Sequence, residues 1–301
     1  MKVMVCADVR IGDPAVLNMA PDRLMVWQRD KVRAFADALA GARELGAEAC
    51  LVAGGLFAEG FVPQSLLDAA VEAMGSCGML VTYVMASGEA RGFEERVILP
   101  QNVDCHRDVP TGLWNGIRIG RDDGGAFVSF ATPEGNATQT VGALEPSSFE
   151  GAEQSGFWLL DIADDQVVSQ RFVGRATHPF VTRAANVGGC QSSKEVADRV
   201  AAAVAGANGD ACLRLELWGG FAFGTHFDVE RLSEVLNSRF FYAEVSNEAL
   251  VAVSPEELEG DISLMAEFVR LVAAENSLSP VEKSRILACG WNAMNGKELA
   301  Q

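Results

Sequence analysis

The residues best suited to chemistry stand at the ends of two apolar runs near the N-terminus. Residues 3–7 lead into Asp8 and Arg10, and residues 49–53 lead into Gly54-Gly55. Short apolar runs closed by turn residues are typical of buried parallel strands that feed functional loops. In open α/β sheets, ligands bind in the loops beyond the carboxyl ends of the strands. Asp8 is therefore a weak candidate metal ligand, and Arg10 is a candidate for binding a phosphate-like anion.

The elements that would position these loops alternate between strand and helix. Apolar residues at helical spacing predict a helix over residues 21–46 and a second one that begins at Pro63. Strands are predicted at 49–53 and 79–85. This β-α-β-α-β order implies parallel strands joined by right-handed crossovers.

Three strand ends resemble the motifs of calcineurin-like metallophosphoesterases, in particular the SbcD-type DNA-repair exonucleases. The family's first strand ends in ADxHxG, and residues 7–12 read ADVRIG. The second ends in GDLFD and the third in GNHD, where residues 54–58 read GGLFA and residues 86–90 read ASGEA. The resemblance is close over residues 1–90 and looser beyond. It implies a truncated metallophosphoesterase-like α/β sandwich, then a small α/β capping domain and C-terminal helices.

The same resemblance implies that the metal-binding residues have degenerated. Family members clamp a phosphate with two divalent metals about 3.5–4 Å apart. Arg10 stands at a histidine ligand and, because guanidinium stays protonated, cannot bind a cation. Gly55 replaces the bridging aspartate, Ala58 replaces a second acid, and Ser87-Gly88-Glu89 lacks the Asn and His of GNHD. No cofactor is predicted for such a site.

Three interpretations of Arg10 remain open from the sequence. Asp8 and Arg10 form a solvated turn, or Arg10 fills the vacated metal position and pairs with Asp8 and Glu89. In a third interpretation, Arg10 binds a phosphate-like anion at the strand ends. The chain's three histidines lie far apart, and none is predicted to bind a metal. The adjacent Cys105 and His106 are not expected to act as nucleophile and base, since neighbours on an extended strand face opposite ways.

The predicted domains are residues 1–148, metallophosphoesterase-like and shortened, then the capping domain 149–254 and the helical segment 255–301. A strand at 156–163, paired with 166–173, opens the capping domain. Near the C-terminus, apolar residues at i, i+3, i+4 spacing form a wide stripe that packs on the capping domain or binds a partner. These candidate partner-binding residues are Ile262, Met265, Phe268, Val269 and Val272.

Composition limits the partners. The formal net charge is −17, so the chain has no basic footprint for nucleic acid, and DNA contact is expected only through a partner. Seven cysteines are scattered singly. Together with the lack of a signal-peptide pattern or a long apolar run, they predict a cytoplasmic protein without membrane contact.

The expected function follows from the resemblance. It implies a non-catalytic, SbcD-like subunit that acts as structural or regulatory partner of an SbcC-type coiled-coil ABC ATPase in DNA repair. One alternative is a phosphoesterase or exonuclease whose ligands for Mn²⁺ or another divalent metal come from other positions. A second alternative is an anion-binding module that uses Arg10.

Overall fold

The computed structural model describes residues 1–13, 18–86, 88–107, 112–114, 116–122, 125–134, 137–150, 155–222, 228–247, 250–252 and 260–294. The chain has an α/β fold and divides into two compact units, Met1–Phe180 and Val181–Gln301. The predicted boundary at residue 148 therefore falls inside the first unit. The strand pair expected to open the capping domain belongs to this unit as well.

A six-stranded sheet forms the centre of the first unit, in the order β10-β9-β1-β2-β3-β4. Strands β1 to β4 are parallel, whereas β9 runs antiparallel to β1 and to β10. The strands are β1 (Lys2–Cys6), β2 (Ala49–Ala53), β3 (Leu80–Val84), β4 (Val103–His106), β9 (Gly156–Ala163) and β10 (Gln166–Gly174). The predicted hairpin of β9 and β10 is confirmed, but its place beside β1 differs from the prediction. Because β9 buries side chains on both faces, it suits the interior of a covered sheet.

Helices cover one face of this sheet. They are α1 (Pro21–Glu44) and α2 (Gln64–Ser76), with the short α3 (Phe93–Arg96) after β3. Met4, Cys50 and Val52 of the sheet pack against Phe35 and Leu39 of α1 in one continuous core. The sequence predicted α1 and α2 correctly, because their apolar residues recur at helical spacing and Pro21 begins α1.

A second, antiparallel sheet covers the other face, in the order β5-β6-β7-β8. Its strands are β5 (Gly112–Trp114), β6 (Ile117–Asp122), β7 (Gly125–Ala131) and β8 (Thr138–Thr140). Ile117 and Phe130 of this sheet pack against Val5 and Leu51 of the first. The first unit is thus a helix layer, a mixed sheet and an antiparallel sheet stacked in that order. Residues of β6 and β7 alternate between the core and the outer face, a period that is typical of strands.

The second unit has its own core. Its strands are β11 (Phe180–Asn186), β12 (Cys212–Trp218), β13 (Gly220–Ala222), β14 (Tyr242–Asn247) and β15 (Leu250–Ala252). Its helices are α4 (Ser193–Ala203), α5 (Val229–Arg239), α6 (Leu264–Ala274) and α7 (Pro280–Met294). Strands β11, β12 and β14 form one sheet, and β13 pairs with β15 in another. As the sequence predicts, Ser192, Asp228 and Ser279 cap α4, α5 and α7 by accepting backbone N–H bonds.

Candidate functional site

The candidate site begins where β1 and β2 end, and there the two following loops are hydrogen-bonded to each other. The backbone N–H of Asp8 donates to the Gly54 carbonyl, and that of Arg10 to the Gly55 carbonyl, both at 2.8 Å. Asp8 and Arg10 adopt φ angles of +50° and +54°. Few non-glycine residues adopt such left-handed conformations, and they are held here by this backbone pairing. Both side chains are therefore fixed at the carboxyl edge of the sheet.

Arg10 pairs with two carboxylates of its own loop. Its Nε donates to Asp8 Oδ1 at 2.7 Å, and its Nη1 lies 3.6 Å from Asp13 Oδ2. The hydrogen bond with Asp8 raises the pKa of Arg10. No ion pair joins Arg10 to Glu89, although the structure describes both side chains, so the expected bridge from Arg10 to both acids is corrected to a bridge within one loop. About half of the Arg10 side chain is exposed, which makes this a surface ion pair.

Glu89 lies below this edge and is almost completely buried, with 1% of its surface exposed. Its Oε1 accepts from Phe57 N at 2.7 Å and from the Tyr83 hydroxyl at 2.5 Å. Its Oε2 accepts from Ala86 N at 2.6 Å and from Gly55 N at 3.3 Å. One carboxylate thus joins the ends of β2 and β3. Burial raises the pKa of Glu89, although these hydrogen bonds oppose the shift.

The remaining predicted positions surround this carboxylate. Gly55 has a φ of +72°, and a Cβ added there would lie 2.9 Å from Asp8 Oδ1. Ala58 is buried, and its backbone bridges the loops by donating to the Ile11 carbonyl and accepting from Ala90 N. Gly88 has a φ of +79° and accepts from Gly60 N. Ser87 lies outside the described residues.

Sequence reasoning missed a buried lysine beside this edge. Lys31 of α1 is 4% exposed, and its Nζ contacts Ser147 Oγ at 3.3 Å and the ring of Trp27, with 5.2 Å to its centroid. Burial lowers the pKa of Lys31 to about 8, while the charges of Asp13 and Asp8 oppose the shift. Ammonium groups rarely lie so deep without acidic neighbours. Lys31 lies four residues after Trp27 and four before Phe35, so helical spacing places it on the buried face of α1 and could have identified it.

A second buried polar group lies near Lys31. Glu145 is 4% exposed and accepts from Thr177 N at 2.8 Å and from the Thr177 hydroxyl at 3.0 Å. Its segment reaches the sheet edge because Leu144 N donates to the Ala7 carbonyl. Burial raises the pKa of Glu145. No local pattern identifies Glu145 in the sequence, because tertiary contact alone brings residue 145 to residue 7.

The described histidines contact carboxylates. His178 Nε2 lies 2.9 Å from Asp30 Oδ2, and its ring stacks on Trp27. His106 Nε2 lies 3.0 Å from Asp104 Oδ2. Burial raises the pKa of the neighbouring Cys105 thiol to about 11, which leaves it protonated at neutral pH. A protonated thiol is a poor nucleophile, in line with the expectation for this pair.

The site as a whole combines paired charges with buried carboxylates. Among the described residues, no group of three or more His, Cys, Asp or Glu side chains is arranged to hold a metal ion. Asp8 is engaged by Arg10, and both oxygens of Glu89 accept hydrogen bonds from the protein. The geometry therefore holds the three loops in register.

The predicted partner-binding stripe is divided between surface and core. Ile262 is 98% exposed and precedes α6, which Ser263 caps. Val269 and Val272 are buried with Leu287 of α7. Met265 and Phe268 are partly buried against the same cluster. The expected alternatives were packing on the capping domain or binding a partner, whereas Val269 and Val272 pack with Leu287 of α7. The exposed apolar surface of α6 lies at Leu264 and Leu271.

No protein-family model matches the chain, and no curated protein matches it. No helix within the described ranges is long and apolar enough to cross a membrane.

Proposed function

We propose that this protein is a non-catalytic, SbcD-like subunit that serves as structural or regulatory partner of an SbcC-type ABC ATPase. The observation that carries the proposal is the state of the strand-end carboxylates. Glu89 is saturated by protein donors, and Asp8 is neutralised by Arg10. In the family that the motifs resemble, the corresponding edge binds two metals. Here the same edge stabilises the loops, which is the expected outcome when a fold is kept for binding.

Lys31 and Arg10 strengthen this proposal. Carboxylates gathered at a sheet edge repel one another unless cations lie among them. Arg10 is a half-exposed cation and Lys31 a buried one, and the pKa values of both respond to the charge of Asp8. They supply fixed positive charge where a metalloenzyme uses its ions. A divalent metal ion bound beside them would be repelled by both positive groups.

The first test is catalytic. With Arg10, Gly55 and Ala58 at ligand positions, we expect no Mn²⁺-dependent cleavage of bis-p-nitrophenyl phosphate or of DNA. The measurement is product release with Mn²⁺ titrated over the protein, with an Asp8→Ala variant as control. Turnover that disappears in Asp8→Ala would contradict the proposal and favour a rearranged metal site.

The second test concerns the partner. The apolar residues that α6 leaves exposed are Leu264 and Leu271, at 75% and 64% exposure. We expect Leu264→Asp and Leu271→Asp to leave the fold intact and to abolish co-purification with an SbcC-type ATPase. Val235→Asp, on the exposed surface of α5, is the matched control and should not affect binding. Equal capture of all three variants would exclude α6 as the docking surface.

A further inference from the structure

The outer face of the antiparallel sheet carries a concavity of about 370 Å³. Strand register places Arg118, Ser129 and Thr140 opposite one another in a single row across β6, β7 and β8. Thr138 lies in the neighbouring row, opposite Ala131. The core-facing residues Ile119 and Val128 alternate with this row, so their side chains point to the other side. The concavity is therefore bordered by one guanidinium and three hydroxyl groups.

Within the described residues, the side chains of these polar groups have no hydrogen-bonding partner. Arg118 forms neither an ion pair nor a hydrogen bond with the described chain, and no carboxylate lines the concavity there. Ser129 is 4% exposed, and its hydroxyl likewise contacts no hydrogen-bonding group of the described chain. The Ser129 hydroxyl is not fully enclosed and opens into the concavity, where a ligand can reach it.

We propose that this concavity binds the phosphate group of a small molecule. A guanidinium binds phosphate through two parallel N–H donors, and hydroxyl groups supply further donors to the remaining oxygens. Arg118 provides the fork, Ser129 donates from the floor, and Thr138 and Thr140 donate from the rim. The volume exceeds that of a phosphate group, which leaves room for a small organic part. This site is separate from the strand-end carboxylates and does not depend on the proposed subunit function.

The test is a titration of the full chain with inorganic phosphate at constant ionic strength, followed by amide NMR shifts of residues 116–118 and 129–131. We expect saturable shifts below about 20 mM phosphate, and binding at least about tenfold weaker in Arg118→Ala and Ser129→Val. Arg171→Ala removes an exposed charge from β10 in the other sheet and should bind as the unaltered protein does.

Titrations with two other anions test whether the concavity prefers a phosphate group that carries an organic part. Glycerol 3-phosphate should bind at least as tightly as inorganic phosphate, because the concavity holds more than the anion. Sodium acetate should produce much smaller shifts, since a carboxylate offers fewer acceptor oxygens. Equal shifts with acetate, unaltered binding in Arg118→Ala, or the absence of saturation would each overturn the proposal.

Discussion

At the scale of single residues, Glu89 is the group on which most loop contacts of the candidate site depend. Replacing it with Gln keeps the shape but turns one acceptor oxygen into a donor that faces N–H or O–H groups. We expect Glu89→Gln to lower the free energy of unfolding by about 1–3 kcal/mol. Urea denaturation measures this. Glu95→Gln, at an exposed position of α3, should leave the midpoint unchanged, and equal midpoints for both variants would contradict the role of Glu89.

Comparing substitutions at Gly55 and Gly60 separates the effect of backbone strain from the effect of a steric contact with the added Cβ. Both have left-handed φ angles, +72° and +81°, but a Cβ at Gly60 would meet nothing within 4 Å. Gly60→Ala should therefore cost about 1 kcal/mol. Gly55→Ala should cost about 1 kcal/mol more, because Asp8 must turn away from Arg10. Thermal unfolding of the two variants gives the difference in the free energy of unfolding. Equal losses in both variants would show that the Asp8 side chain moves aside without penalty.

The buried Lys31 makes the free energy of unfolding depend on pH. Burial lowers its pKa to about 8 in the folded chain, from the ordinary lysine value of 10.5. The unfolded chain therefore binds more protons between these values, and the free energy of unfolding rises with pH across that window. The rise amounts to about 3 kcal/mol. Comparison with Lys31→Met at each pH isolates this contribution, and identical pH profiles would show that Lys31 titrates normally.

At the scale of elements, α6 and α7 depend on a glycine for their close approach. The Phe268 ring lies against Gly290 so closely that an added Cβ would overlap it. Gly290→Ala should therefore cost about 1–3 kcal/mol, despite the better helix propensity of Ala. In a Phe268→Ala background the same change should become neutral or stabilising. A double-mutant cycle by urea denaturation measures the coupling, and simple additivity would show that the ring does not restrict the helices.

The helices and the core strands were predictable from local sequence. The bounds of β2 agree with those expected, because it is an apolar run closed by glycine. β4 and β11 were missed, since their partly exposed, mixed composition gives no clear alternation. The pairing of β9 with β1 could not be predicted either. Strand pairing across more than a hundred residues depends on tertiary packing, which leaves no periodic signal.

At the scale of the whole molecule, the α/β class followed from the order of elements, whereas the arrangement of charges did not. Asp8 and Arg10 were recognised because they end a strand. Lys31 and Glu145 come from a helix and a distant loop, and only the fold brings their charges near Asp8. Helical spacing from Trp27 and Phe35 indicated that Lys31 is buried, but not that its ammonium lies near Asp8. The sequence therefore identified Asp8 and Arg10 as site residues, but not Lys31 and Glu145.

The position of β1 has a consequence for synthesis of the chain. Its Val5 pairs with Leu51 on one side and with Trp158 on the other. Ribosomes add about 5–20 residues per second, so β1 waits on the order of 10–30 s before β9 emerges. During that interval the nascent chain presents an apolar strand with an open edge, which invites pairing with other chains. Folding of the first unit is therefore completed late. A chaperone that binds the emerging N-terminal strand would raise the yield of folded protein.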